Sequence, residues 1–230
     1  YAASHDLQEP LRKINTFSDR LKTELSSQLN ETQQRMFERI ENATRRMRQL
    51  IDDLLDFSRV SRKKNELKPV ALQAVIALML QDLETGIQES GAAITVKELP
   101  VIHGDERQLQ QLFQNLVGNA LKYSKPGESP EIAVTSRLVK GADVRPELPG
   151  GAGDRQFHLV EVKDNGIGFA QEDAQRIFDL FTRLHGRSEY TGTGIGLSIA
   201  RKVVESHNGY IWAESEAGKG ATFRVLFPVH

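Results

Sequence analysis

The chain has no cysteine at all. Disulfide staples and thiol nucleophiles are excluded, which agrees with a reducing, cytoplasmic setting. An excess of one charge is missing too: 30 Lys and Arg against 31 Asp and Glu leave a net charge of −1, with no basic surplus to attract nucleic acid. No apolar run approaches the roughly 20 residues that cross a bilayer, and no segment reads as a signal peptide. The familiar phosphate-binding templates are also absent. There is no G-x-x-x-x-G-K-[ST], the glycines do not fall in the dinucleotide spacing G-x-G-x-x-G, and the catalytic-loop and D-F-G signatures of protein kinases do not occur. Any nucleotide chemistry here belongs to another class of site.

What is present divides in two. With 230 residues, 39% of them hydrophobic, the chain can bury a proper core and form two units. Near the N-terminus, Leu11, Ile14, Phe17 or Ser18, Leu21 and Leu25 recur at intervals of three and four, as do Met36, Ile40, Ala43, Met47, Leu50, Leu54 and Phe57. These are heptad seams. The short polar stretch from Ser26 to Glu31 joins them as an antiparallel helical hairpin, which cannot bury both seams alone, so two hairpins should pair into a dimeric four-helix bundle. The sequons at Asn30 and Asn42 fall in this hairpin and are read as chance. Arg62 to Asn65 is a charged hinge. Beyond it, helices expected near Leu72 to Glu89, Asp105 to Tyr123 and Ile195 to Ser206 alternate with strands near Ile94 to Val96, Glu131 to Val139, Phe157 to Lys163, Tyr210 to Ala213 and Ala221 to Phe227. An α/β sandwich, helices packed on one face of a sheet, accounts for that order. Lys140 to Gln156, rich in Gly and Pro, reads as an exposed insertion.

Three segments carry chemistry. On the expected helix from Asp105 to Tyr123, Leu109, Leu112, Phe113, Leu116, Val117 and Ala120 form the apolar stripe, leaving Asn115, Asn119 and Lys122 on the other face. Asn119 can offer an oxygen to Mg²⁺, Lys122 can pair with phosphate as a point charge, and Asn115 can orient a metal-bound water. Asp164 falls at a strand end, where a carboxylate can accept a hydrogen bond from an exocyclic amine such as adenine's, while Gly166 and Gly168 let the backbone pass close to the base. Gly192, Gly194 and Gly196 precede a helix whose N-terminal amides favour phosphate. Each segment alone has a blander reading: a solvated helix face, a turn, a flexible loop. Together they make a nucleotide site.

The ordered motifs resemble the histidine-kinase branch of the GHKL ATPases. The N box resembles Asn115 to Tyr123, the first glycine box Asp164 to Gly168, the phenylalanine box Ile177 to Phe181, the second glycine box Gly192 to Gly196, and the H box Ser4 to Leu11 (SHDLQEPL). The form is most similar to kinases linked to phytochrome or PAS-type sensors. The resemblance implies an α+β chain: a dimerisation and histidine phosphotransfer hairpin at 1–62, a linker at 63–69, and a Bergerat-type ATP-binding domain at 70–230. It implies that Tyr123 and Ile167 pack around the nucleoside. Thr191, Thr193, Ile195, Leu197 and Thr222 join the ATP contacts, and Phe178 and Phe181 anchor a lid spanning about 169–193, a role compatible with ordinary core packing of the two rings.

Of the six histidines, His103, His158, His185, His207 and His230 stand in no supporting constellation; His5 does. A neutral imidazole is a good nucleophile near pH 7, and Asp6 beside it can take the proton or hold the tautomer. Pro10 should bend the helix close to His5. The reaction expected is transfer of the γ-phosphoryl of Mg-ATP to His5 with Asp6 assisting, Lys122, Arg183 and the glycine-box amides neutralising charge, then onward transfer to an aspartate of a response regulator receiver domain. A GHKL ATPase clamp and a dimeric pseudokinase scaffold are the rival classes. Because the chain starts almost at the H box, it is expected to be the transmitter portion of something longer, with an upstream sensor domain. The residue four past His5 is Glu9, whose negative charge is expected to make a weak phosphatase.

Overall fold

A computed structural model describes residues 2–26, 28–62, 66–144, 152–184, 186, 190 and 192–229. Two helices, α1 (Ala2–Glu24) and α2 (Glu31–Arg62), form the hairpin. Asn30 starts the second one as a reciprocal cap: its side-chain oxygen accepts from the Gln33 amide at 2.9 Å, while the Gln33 side chain accepts from the Asn30 amide at 2.9 Å. The residue that reads as a glycosylation acceptor is thus engaged as an N-cap. Gln8 Nε2 donates to Asp52 Oδ1 at 2.6 Å, and Lys22 Nζ to Glu41 Oε1 at 2.8 Å, fixing the antiparallel register. α1 runs continuously through Pro10.

The seams divide between surfaces. Leu11 and Ser18 turn inward toward the buried Thr44, whereas Ile14, Phe17, Leu21, Met36, Ile40, Met47 and Leu54 stay exposed. Leu50, Phe57 and Val60 face a third direction and pack against the core of the second unit. Glu9, whose negative charge is expected beside His5, is in an i,i+4 ion pair with Lys13 at 2.9 Å.

The second unit opens with β1 (Lys68–Ala71), which begins in the last two residues of the stretch expected to be linker and is paired antiparallel to β3 (Val101–Gly104) as a two-stranded sheet. Neither strand was expected; each is four residues long, and β1 carries Pro69, so no alternation stood out. The helix expected from Leu72 to Glu89 is two, α3 (Leu72–Asp82) and α4 (Glu84–Ser90), broken at Leu83. Buried positions run through Leu72, Val75, Ile76 and Met79 in α3, whereas α4 has none.

The main sheet contains β2 (Ala93–Val96), β4 (Glu131–Lys140), β5 (Gln156–Asp164), β6 (Tyr210–Glu216) and β7 (Gly220–Pro228) in the order β2-β4-β5-β7-β6. Only the β2–β4 pair is parallel, because their connection crosses over through β3 and α5 (Glu106–Lys122). With α6 (Gly196–Ser206), α3 and α5 cover the face bearing Val160, Val162, Phe223 and Val225. This is the expected α+β architecture. The insertion is not wholly exposed, however: Val144 and Ala152 are buried against Phe157, Leu159 and Leu226 on the opposite face. That packing explains why the apolar alternation of β5 changes face after Leu159.

His207 fastens α6 to α5. Its Nε2 accepts from the Asp105 amide at 2.9 Å and its Nδ1 donates to the Val203 carbonyl at 2.7 Å, which fixes the neutral tautomer, while Asp105 itself caps α5 by accepting from the Gln108 amide at 3.0 Å. Burial is the main cause lowering its pKa from the ordinary 6.5. The unfolded chain therefore takes up a proton below about pH 6.5 that the folded chain refuses, so stability falls as pH drops through that value. Denaturant unfolding at pH 7.5 and 5.5 should show this loss, and a His207→Gln variant, less stable at pH 7.5, should show a smaller change between the two pH values.

Candidate nucleotide-binding site

The site grows from two helix faces and one strand end. α5 buries Leu109, Leu112, Phe113, Leu116, Val117 and Ala120, so its polar stripe has nowhere to go but outward over the open edge of the sandwich. Two adjoining cavities result. The smaller, about 80 Å³, is walled by Tyr123, Asp164, Ile167, Gly168, Leu197 and Phe223, among others. The larger, about 310 Å³, is walled by Asn115, Lys122, Gly192, Thr193, Gly194 and Gly196. Asn119, Tyr123 and Leu197 line both.

Asp164 organises the smaller cavity. Its Oδ1 accepts from the Gly166 amide at 2.8 Å and the Ala221 amide at 3.2 Å, while Oδ2 takes no hydrogen bond among the described residues. A ligand's amine would complete it. Burial pushes the Asp164 pKa up, against the two amide bonds that lower it. In the absence of a partner for Oδ2, the ionised form therefore costs stability at neutral pH. The turn that follows depends on glycine. A Cβ at Gly166 would stand 2.5 Å from the Tyr123 carbonyl oxygen, and one at Gly168, where φ is 60°, would stand 2.2 Å from that of Glu216. The Ile167 amide donates to the Tyr123 carbonyl at 2.9 Å, so α5 and the first glycine run are tied together.

In the larger cavity, Lys122 Nζ donates to the Tyr123 hydroxyl at 2.8 Å and lies 4.3 Å above that ring. Asn115 Nδ2 donates to the Gln111 carbonyl at 3.0 Å, and a Cβ at Gly196 would stand 2.7 Å from its Oδ1, so a glycine there permits the approach. Ile195 is fully buried and caps α6, contributing backbone rather than side chain. Arg183 differs from expectation. Its guanidinium donates to the Gly192 carbonyl at 2.9 Å and to the Tyr190 carbonyl, strapping the loop, and it lines the smaller cavity rather than the larger.

Some expected residues are not brought to the site. Thr222 points to the opposite face of β7 from Ala221 and Phe223 and lines neither cavity, because side chains alternate along a strand. Phe181 is 59% exposed with φ 63° and lines neither; Phe178, buried against Phe223, is the anchored member of that pair. Thr191 lies outside the described residues, as do the side chains of His5 and Asp6 on α1. Conversely, Ala221, Phe223, Thr182 and Leu184 line the smaller cavity, and Tyr190 lies against Tyr123 at a ring distance of 4.9 Å. Only Phe223, in a clear alternating strand, gave a signal of facing inward. Among the described residues no group of three His, Asp or Glu side chains could hold a metal alone. The one neutral oxygen of Asn119 at the junction of the cavities suits Mg²⁺, which keeps its waters and is shared with substrate phosphates.

A family model described as histidine kinase-, DNA gyrase B-, and HSP90-like ATPase matches residues 104–230. The chain belongs to that family. A second model, the His Kinase A phospho-acceptor domain, matches residues 1–63, so the chain is a sensor histidine kinase transmitter core. The phytochrome-like protein Cph1 of Synechocystis sp. is 37% identical to this transmitter core over 231 residues, covering 100% of it and 28% of that protein. Cyanobacterial phytochrome A of Nostoc sp. is 36% identical over 229 residues, again covering 100% and 28%. The transmitter core thus spans 28% of the length of these two relatives. Among solved structures, full-length ShkA in complex with AMPPNP has the same fold, with a TM-score of 0.69 at 24% identity over 99% of this chain and 44% of that chain. The catalytic domain of histidine kinase ThkA covers 71% of this chain and 96% of its own at 25% identity, with a TM-score of 0.56.

Replacing Asp164 by Asn keeps an acceptor for the Gly166 and Ala221 amides but turns a donor toward the adenine amine. Since the buried charge is a cost to the fold, thermal stability at pH 7 should hold or rise. ATP affinity should fall by about 1 to 3 kcal/mol, the usual cost of a mismatched buried polar pair. Calorimetric titration beside a melting curve on the same sample separates the two effects.

Proposed function

We propose that this chain is a histidine autokinase of a two-component system, transferring the γ-phosphoryl of ATP to His5 and then to an aspartate on a response regulator receiver domain. The observation that carries it is the pairing, in one chain, of an adenine-type cavity built on Asp164 with a phosphate-type cavity built on α5 and the start of α6, beside a hairpin matching a phospho-acceptor domain. The AMPPNP complex of the structural neighbour ShkA supports a nucleotide at such a site. Adenine enters the smaller cavity, its amine donating to Asp164 Oδ2, with Ile167, Leu197 and Phe223 packing on the ring. The phosphates lie in the larger one, against Lys122 and the amides of Gly192 to Gly196. Asn119 would hold Mg²⁺, which when bound would neutralise phosphate charge.

Such a transfer asks the protein for positioning and charge neutralisation. The lone pair of a neutral His5 ring nitrogen forms the N–P bond as the bond to the β-phosphate oxygen breaks. Asp6 holds the tautomer or takes the ring proton. Residues 1–62 act as the dimerisation and phosphotransfer unit and those from the start of β1 at Lys68 onward as the catalytic unit, in the cytoplasm. A second copy of the hairpin covers Ile14, Phe17, Leu21, Met36, Ile40, Met47 and Leu54, an apolar stripe too large to leave in water.

His5→Gln should abolish incorporation of label from γ-labelled ATP while leaving ATP affinity nearly unchanged, because His5 is on α1, whereas the hairpin residues in the cavity wall, Gln49 and Asp53, are on α2. In the wild type the label should be acid-labile and base-stable. Labelling of the variant at the wild-type level would move the acceptor elsewhere, and an ATPase clamp would retain no label on protein at all.

A further inference from the structure

Asp53 belongs to the hairpin, yet it stands in the wall of the phosphate cavity. It lies on the stretch of α2 that packs against the ATP-binding unit through Leu50, Phe57 and Val60. Its Oδ1 accepts from Gln49 Nε2 at 2.8 Å and its Oδ2 accepts from the Thr193 hydroxyl across the two units. Both Gln49 and Asp53 line the larger cavity with Lys122 and Thr193. A second polar tie between the units, Gln111 Nε2 to Asp56 Oδ2 at 3.2 Å, lies outside that lining.

The groups gathered here suit an anion. Thr193 donates from its hydroxyl, the 11-residue α6 begins just beyond it, and the Lys122 ammonium closes the other side. A carboxylate in that setting has the charge and the acceptor oxygens of a phosphate. Once a triphosphate occupies the cavity, its terminal phosphate and Asp53 are like charges sharing one set of donors in a partly buried space, where repulsion is much stronger than in bulk water. A diphosphate lacks the group that reaches so far.

On the ATP reading of the site, we propose that Asp53 is a specificity-determining residue for the nucleotide: it holds Thr193 as a stand-in for the terminal phosphate, so a triphosphate must displace it and a diphosphate need not. The hairpin and the ATP-binding unit then part at this contact when ATP binds, and meet again once the γ-phosphoryl has left. Leu50, Phe57 and Val60 supply apolar contact that does not depend on nucleotide.

The test is titration of ATP and of ADP, at one fixed Mg²⁺ concentration, into the full chain carrying Asp53→Asn, Asp53→Ala or Asp56→Asn beside the wild type. Removing the Asp53 charge should tighten ATP binding by about fivefold or more, as expected for lifting one like-charge contact, and should change ADP binding by less than about twofold. Asp56→Asn should alter neither. Unchanged ATP affinity in both Asp53 variants overturns the proposal. So does weaker ATP binding, which would make the carboxylate a ligand of the cation, and so does equal tightening of ATP and ADP, which would make it a general obstacle. A wild type that binds ATP while the variants match it sinks the role of Asp53 alone, whereas a wild type that binds no ATP sinks the nucleotide reading as well.

Discussion

The carboxylate of Asp164, buried at the end of β5, is the constraint around which the ATP-binding unit is arranged. Burying such a group is costly unless hydrogen bonds meet it, and two backbone amides do so from opposite sides, Gly166 in the following turn and Ala221 on the neighbouring strand. To bring them there the chain must turn sharply after the strand, and the space is so limited that a side chain at 166 or 168 would collide with the carbonyls of Tyr123 and Glu216. The same turn reaches the C-terminal end of α5 through the Ile167 to Tyr123 bond, which sets the helix carrying Asn119 and Lys122 against the adenine cavity. One oxygen stays open to a ligand. That leaves the charge poorly satisfied in the fold, and a ligand's amine would complete it.

Around that centre, helices α5 and α6 form a pair with a shared polar edge. His207 joins the end of one to the start of the other, and a solvent-shy imidazole between a backbone donor and a backbone acceptor leaves little freedom of tilt. The groups on the two helices that line the larger cavity therefore keep a fixed separation. Ahead of α6, Arg183 straps the carbonyls of Tyr190 and Gly192, and α2 of the hairpin makes its own contact with the unit. That contact mixes an apolar part, through Leu50, Phe57 and Val60, with polar bonds at Asp53 and Asp56. Apolar burial is insensitive to the charge of a ligand; the bond at Asp53, in the wall of the larger cavity, is not.

Long periodic elements are legible in the amino-acid pattern. The stripe of α5 and the strands β4, β5 and β7 emerge within a residue or two of their expected ends, because each buries a full face and its pattern is correspondingly strong. The β1 and β3 strands are not, since four residues with a proline hold no period to count. The change of face in β5 is visible as an anomaly, and Val144 and Ala152 packing on the far side supply its cause. Thr222 and Phe181 show the opposite failure. A motif assigns residues by position, but pleating sends Thr222 to the wrong face, and a left-handed backbone leaves Phe181 in solvent.

By itself the sequence determined the division into a helical hairpin and a mixed α/β unit, the family of the nucleotide site, and the residue types that such a site needs, since these follow from periodicity and from chemistry at fixed spacing. Only the tertiary structure decided which of those residues meet. Asp53 is 140 residues from Thr193 and carries no local signal, yet packing of α2 against the second unit places it in the phosphate cavity. The seam of α2 likewise reads as one stripe, but Leu50 and Phe57 pack against the core of the ATP-binding unit while Met36, Ile40, Met47 and Leu54 stay exposed. A helical repeat states which positions are apolar; what covers each of them depends on contacts between segments far apart in the chain, which no local pattern records.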